Sequence, residues 1–180
     1  MNGKSLRRPM NKIFFVIGAS GSGKTTVINA LDKAGLSDFK TVYFDSIGVP
    51  SLEEMSAKYN GPEGWQRIKT AEWVKTIKET LISDTHVILD GQTRPIFIEE
   101  TCIENEIIAY EVVLFDCSDE ERAKRLVARG HSELANAQMM DWARYLRQES
   151  QKRSYQIINN TDYTSAETFS QFLDWLQGKK

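Results

Sequence analysis

The sequence predicts an α/β fold of three layers, with a five-stranded parallel sheet covered by helices on both faces. Three observations lead there. Short β-rich apolar runs recur five times, over 12–17, 40–44, 86–89, 110–115 and 155–160. The segments between them place apolar residues at helical spacing. The first run also passes directly into a glycine-rich turn and then a helical pattern. Strands that alternate with helices make a parallel sheet, because right-handed crossovers return each strand in the same direction.

The whole chain bounds the reading. Its 180 residues, 41% hydrophobic, suffice for one well-buried domain, taken as 10–180. The 23 basic and 25 acidic side chains give a net charge of −2, so the overall basic footprint of a nucleic-acid binder is absent and nucleic acid is disfavoured as a partner. No apolar run has membrane-spanning length. Cys102 and Cys117 fit neither a disulfide framework nor metal spacing, and read as small buried hydrophobes in a reducing, cytoplasmic compartment. Residues 1–9 carry Lys4, Arg7 and Arg8 without an apolar stretch. They are expected to form a flexible extension, not a signal peptide, with Met10 as an alternative start.

Lys12-Ile13-Phe14-Phe15-Val16-Ile17 reads as a buried strand, and Thr26 to Lys33 as a helix that Gly35 stops. Between them lies Gly18-Ala19-Ser20-Gly21-Ser22-Gly23-Lys24-Thr25. Strand, glycine loop and helix in this order form the P-loop (Walker A) pattern. Its glycines let backbone N–H groups curl around phosphate oxygens, and the helix adds its positive N-terminus. Lys24 supplies a mobile charge for the β- and γ-phosphates of ATP, and the Thr25 hydroxyl can ligate Mg²⁺. A glycine-rich turn with no ligand is the alternative, and both spacing and flanks argue against it.

Asp45 ends the second strand, where carboxyl ends of parallel strands line the ligand crevice. It is expected to face the phosphates or the acceptor, with a turn or cap aspartate as the alternative. Residues 51–83 read as helical with a break at Asn60-Gly61-Pro62. Trp65, Ile68, Ala71, Val74, Ile77 and Leu81 make one inward stripe. This segment, long for a crossover, could cap an acceptor site. The third strand ends in Asp90-Gly91-Gln92-Thr93-Arg94-Pro95. An acidic residue there is the Walker B arrangement, whose carboxylate orders the waters around Mg²⁺. Gly91 is expected to allow close backbone approach, and Arg94 to grip an anion on the same crevice edge or else to be a surface charge. His86, at the strand's far end, reads as structural.

Pro95 opens a helix to about Asn105. After the fourth strand, Ser118-Asp119-Glu120-Glu121 reads as a capping box. Its helix carries Arg125 and Arg129 on one face with no acidic residue in the last turns. That pair suits an anionic or π-faced ligand, or complements the helix dipole. Residues 132–153 read as one helix after Gly130-His131, with Arg144 and Arg147 either reaching the site or solvated. The fifth strand precedes a helix capped by Thr164-Ser165-Ala166-Glu167, with Phe169, Phe172, Leu173 and Leu176 inward.

The chain from about Asn11 onward resembles the P-loop kinases of nucleoside-monophosphate kinase type, which include adenylate, shikimate and gluconate kinases. The loop Gly18 to Thr25 carries the resemblance, together with Leu89-Asp90-Gly91-Gln92-Thr93-Arg94, which is similar to the Leu-Asp-Gly-Phe-Pro-Arg run of adenylate kinases. Phe115-Asp116 to Gly130 resembles their strand and helix before the lid. The resemblance implies strand order 2-3-1-4-5, an acceptor-binding insertion at 46–83 and a short lid at about 129–143. It implies that Gly18, Ala19, Ser20, Gly21, Ser22, Gly23, Lys24, Thr25 and Thr26 bind the nucleotide, with Arg125 over the adenine. Thr25 and Asp90 would serve the metal, and Arg94 the acceptor's anionic group. Arg129 would reach the transferring phosphoryl group, and Asp45 falls where shikimate kinases hold an acceptor-binding aspartate. Two positions depart from the adenylate kinase pattern. No arginine follows Asp45 closely, and Thr93 replaces a proline.

The function expected is ATP- and Mg²⁺-dependent phosphoryl transfer to a small, anionic acceptor, nucleoside monophosphates first. Alternatives are a small-metabolite hydroxyl kinase and a nucleotide-binding switch that turns over no free acceptor. A GTPase is disfavoured, since no Asn-Lys-x-Asp motif occurs.

Overall fold

The computed structural model describes residues 10–80, 82 and 85–180. The expected extension at 1–9, and Leu81 and Ser83, lie outside the described residues. Five strands, β1 (Ile13–Ile17), β2 (Phe39–Tyr43), β3 (His86–Asp90), β4 (Tyr110–Asp116) and β5 (Gln156–Asn159), form one parallel sheet in the order β2-β3-β1-β4-β5. The helices are α1 (Lys24–Ala34), α2 (Leu52–Tyr59), α3 (Pro62–Thr80), α4 (Pro95–Glu104), α5 (Asp119–Ala128), α6 (Ala137–Lys152) and α7 (Ser165–Gly178). Short 3₁₀ turns fill Phe44–Ile47 and Ser132–Leu134.

β1 is central, and all five of its side chains are buried. The two-residue period of a strand splits its continuous apolar run between two cores. Ile13, Phe15 and Ile17 meet Val74 and Ile77 of α3, Ile98 and Cys102 of α4, and Ala143 and Leu146 of α6. Phe14 and Val16 meet Val27, Ile28 and Leu31 of α1, and Phe172 and Leu176 of α7. This explains why the strand reads as unbroken hydrophobic sequence and why the sheet has helices on both faces. Both cysteines are buried free thiols, and His86 accepts the Lys12 N–H through Nδ1, a structural role.

Several local expectations need correction. α1 begins at Lys24, inside the glycine loop's own pattern. On α3, Ile68 is exposed and Thr70 is buried in its place. The Thr70 hydroxyl pairs with that of Thr93 at 2.6 Å, which turns this face of α3 toward α4 and the end of β3. The expected helix over 132–153 is broken. Asn136 accepts the Met139 N–H and starts α6 afresh, because an N-cap side chain satisfies an amide that a continued helix would bond differently. The box at Ser118 is half formed. The Ser118 hydroxyl caps Glu121 N–H, but its own N–H donates to Thr161 Oγ1, and Glu121 turns to Arg125. At Thr164 both halves of the box are present.

Candidate functional site

The carboxyl ends of β1, β2 and β3 open into a cleft of about 360 Å³. It is lined by the loop from Ala19 to Thr25, by Asp45, by Asp90 to Gln92, and by Leu126, Arg129, His131 and Leu134. The parallel register sets these residues beside one another, since β1 pairs with β3 at Val16 and Asp90, and β2 pairs with β3 at Tyr43 and Asp90.

Gly23 caps α1 with φ of 85°, a left-handed conformation that a side chain would strain. It offers no cap of its own, and the first turn of α1 holds no acidic residue. A helix N-terminus without these partners fits an external anion. Lys24 Nζ lies 2.9 Å from Asp90 Oδ1. Asp90 is 7% exposed, and its Oδ1 makes no hydrogen bond, so the contact is ionic. This carboxylate oxygen lies buried behind Lys24, and once the lysine moves onto a phosphate it is free to hold an ordered metal-shell water. The residues present therefore suit a Mg²⁺-bound polyphosphate.

Asp45 stands in the 3₁₀ turn at the end of β2 and lines the same cleft. Asp45 is exposed at the cleft's rim, and partial burial of its carboxyl against the cleft wall raises its pKa; Lys24 opposes this and Asp90 adds to it. Gly91 lines the cleft, and packing beneath it also requires a glycine. A Cβ there would stand 2.4 Å from Phe44 Cβ, so the glycine makes room for the buried ring beneath the Asp45 turn.

A second cavity, of about 280 Å³, adjoins the cleft through Gly23 and Arg129 and holds Thr26, Arg125, Asn160 and Tyr163. Arg125 is not the unneutralised cation expected. Its Nε donates to Glu121 one turn back at 2.8 Å, and its Nη atoms donate to the side chain and carbonyl of Asn160 at 2.8 and 3.0 Å. Arg129 is exposed at the end of α5, with Nη2 3.4 Å from the Thr26 hydroxyl.

Arg94 does not line the cleft. Its guanidinium donates to Gln66 Oε1 at 2.6 Å, lies 3.4 Å from Glu63, and sits 5.0 Å from the Trp142 ring centre. Of the pair on α6, Arg144 bonds to Asp141 and Arg147 to Asp116. Gly18 is buried beneath the loop, against the Phe115 carbonyl.

Sequence reasoning missed three residues. Arg122 is fully buried, with Nη1 donating to the Ser20 carbonyl and Nη2 to Asp116. Asn160 donates to the Ser22 carbonyl at 2.8 Å and so holds the loop's second half. Only the position of Asp116 at the end of β4, matching Asp90 on β3, could have pointed to that carboxylate.

The residues matching a family model described as "AAA domain" run from 15 to 155, most of the chain. The chain belongs to the AAA domain family. Among curated proteins no sequence matches it. Solved structures share the fold of this AAA domain at low identity. An unliganded sugar kinase from Janibacter sp. HTCC2649 is 18% identical, with TM-score 0.64 over 94% of this chain and 95% of that one. Thymidylate kinase from Candida albicans is 15% identical, with TM-score 0.64 over 94% and 92%. Shikimate kinase from Acinetobacter baumannii, in complex with shikimate, is 17% identical, with TM-score 0.58 over 96% of each chain. The fold is thus the P-loop kinase fold, with the strand order that the resemblance implied. Among the described residues no helix is long and apolar enough to cross a membrane.

Proposed function

We propose that this chain is a cytoplasmic ATP-dependent phosphotransferase that moves the γ-phosphoryl group of ATP–Mg²⁺ to a small acceptor. The observation that carries the reading is the meeting of Lys24, Asp90 and Asp45 in one cleft at the head of α1. Bound Mg²⁺, held by the Thr25 hydroxyl and through water by Asp90, would neutralise charge between the β- and γ-phosphates. Lys24 leaves Asp90 and takes the phosphates, while the amides of the loop and of the α1 terminus hold them in line. The adenine occupies the second cavity beside Arg125, where Glu121 and Asn160 fix the guanidinium. Arg129, between the two cavities, swings onto the transferring group as the segment at about 129–143 closes and excludes water. Residues 46–83 cover the acceptor.

Sequence alone ranked a nucleoside monophosphate first, on the strength of Arg94. The geometry favours the other order. Asp45 faces the cleft with a raised pKa that suits a general base for an attacking hydroxyl. Arg94 is held back by Gln66 and Glu63 and is left to recognise an anionic group on the acceptor's far end. A small hydroxyl metabolite with an anionic group is therefore the acceptor proposed first, with nucleotides second.

Coupled ADP release from ATP–Mg²⁺ across a panel of both acceptor classes tests this. Lys24→Ala should cut turnover by about 10²- to 10³-fold, the typical loss of a transition-state charge contact. ATP binding without turnover of any acceptor would leave the switch; unchanged turnover in Lys24→Ala sinks the kinase reading.

A further inference from the structure

Ser20 of the loop is held from two sides, and residues of α6 brace both holds. Its hydroxyl accepts from Gln92 Nε2 at 3.0 Å, and Gln92 Oε1 in turn accepts from the Trp142 indole at 3.2 Å. Its carbonyl accepts from Arg122 Nη1 at 3.0 Å, and Arg122 is anchored to Asp116 at 2.7 Å. The other oxygen of Asp116 takes Arg147 Nε. Trp142 and Arg147 both belong to α6. Arg122 and Asp116 are 0% and 2% exposed, so this ion pair sits in a low-dielectric interior where its geometry is tightly specified. Burial there also fixes the loop's shape. A Cβ on Gly21 would stand 3.0 Å from Arg122 Cγ.

We propose that these residues position the nucleotide loop: α6 sets the Ser20 peptide through two parallel ties, Trp142–Gln92 to the hydroxyl and Arg147–Asp116–Arg122 to the carbonyl. The inference rests on the reading of the cleft as a phosphate site. The loop binds phosphates through amides whose directions depend on neighbouring peptide planes, so a loosened Ser20 misaims them. The Trp142 ring also lies beside Arg94, so the helix that grips the loop is the one that walls the region where an acceptor's anionic group would lie.

Parallel and serial ties leave different signatures in double-mutant cycles. The test uses Gln92→Ala, Trp142→Phe and Arg147→Ala, three changes at partly exposed side chains, with calorimetric titration of ATP–Mg²⁺ and of Mg²⁺–triphosphate. Each single change should weaken both ligands by about 3- to 10-fold, the worth of one hydrogen bond. Trp142→Phe should add nothing to Gln92→Ala, because both cut one tie. Arg147→Ala on Gln92→Ala should cost more than the product of the single effects, because the second tie is then loosened as well. Thermal melts run alongside separate positioning from stability: the binding losses should appear in variants that melt within a few degrees of wild type. A double variant that equals the product of its singles overturns the two-tie proposal while leaving the kinase reading intact. Wild-type protein that binds neither ligand overturns the reading itself.

Discussion

At the residue scale the deciding contrast is between Asp45 and Arg94. Both follow strand ends on the same crevice edge, yet only Asp45 lines the cleft. Arg94 finds Gln66, Glu63 and an aromatic face before it can reach the phosphates. If Asp45 is the base, it works only when ionised. Its pKa is raised, so kcat/KM should fall on the acid side at a higher pH than an ordinary aspartate near 3.9 would dictate. The sign for stability is opposite. A fold that disfavours the carboxylate is relieved by its removal above that pKa, so Asp45→Asn should lower kcat strongly without lowering the melting temperature. Paired pH–rate profiles and melts decide the matter. An acid limb that persists unchanged in Asp45→Asn belongs to another group. The same scale explains Gly91, which lines the cleft and whose lack of a side chain the packing of Phe44 also requires.

At the element scale, helix ends do much of the work of placing the site. α1 has neither a side-chain cap nor an acid in its first turn. α7, whose N-terminus borders the second cavity, has a complete capping box between Thr164 and Glu167. The difference is that α1's terminus is left for an anion, whereas α7's must be satisfied within the chain. Thr164→Ala should therefore destabilise the fold by about 1 kcal/mol, measured by denaturant unfolding, with kcat of the folded enzyme retained. Because Thr164 borders the second cavity, a large change in kcat would mean that this cap also shapes nucleotide binding there. α6 follows the same logic. Asn136 restarts it after the 3₁₀ turn, which sets where Trp142 and Arg147, on either side of its buried face, point, in a way that a helix continuous from Ser132 would not.

At the scale of the whole molecule, the cleft sits where β1 and β3 end side by side and α1 begins, so a phosphate bound there would join the two core layers that meet at β1. A ligand that binds only the folded state stabilises it by mass action. ATP–Mg²⁺ at a hundred times its dissociation constant should add about 2.7 kcal/mol, which raises the melting temperature of a chain this long by roughly 5–10 °C. Thermal denaturation with ATP–Mg²⁺, and with Mg²⁺ alone as control, measures this, and no shift would contradict nucleotide binding.

The sequence by itself determined the fold class, the strand order by resemblance, and the P-loop with Lys24 and Asp90 at its heart. These follow from short-range patterns: an unbroken apolar run, glycines at fixed spacing, an acid at a strand end. Only the tertiary structure decided which charges are free to act. Arg122 reads as one more basic residue on an exposed helix, but its helix packs it under Ser20, and Asp116, almost a hundred residues from the loop, makes that burial possible. Arg125 pairs with Glu121 one turn back, which spacing could have shown, but its second partner, Asn160, comes from beyond β5 and is visible only in the fold. A charge's role depends on its neighbours in space and on how much water they leave it. Spacing along the chain reports neighbours only within a turn of helix or a strand, so side chains that converge from β4, α5 and α6 onto one loop residue are visible only once the chain is folded.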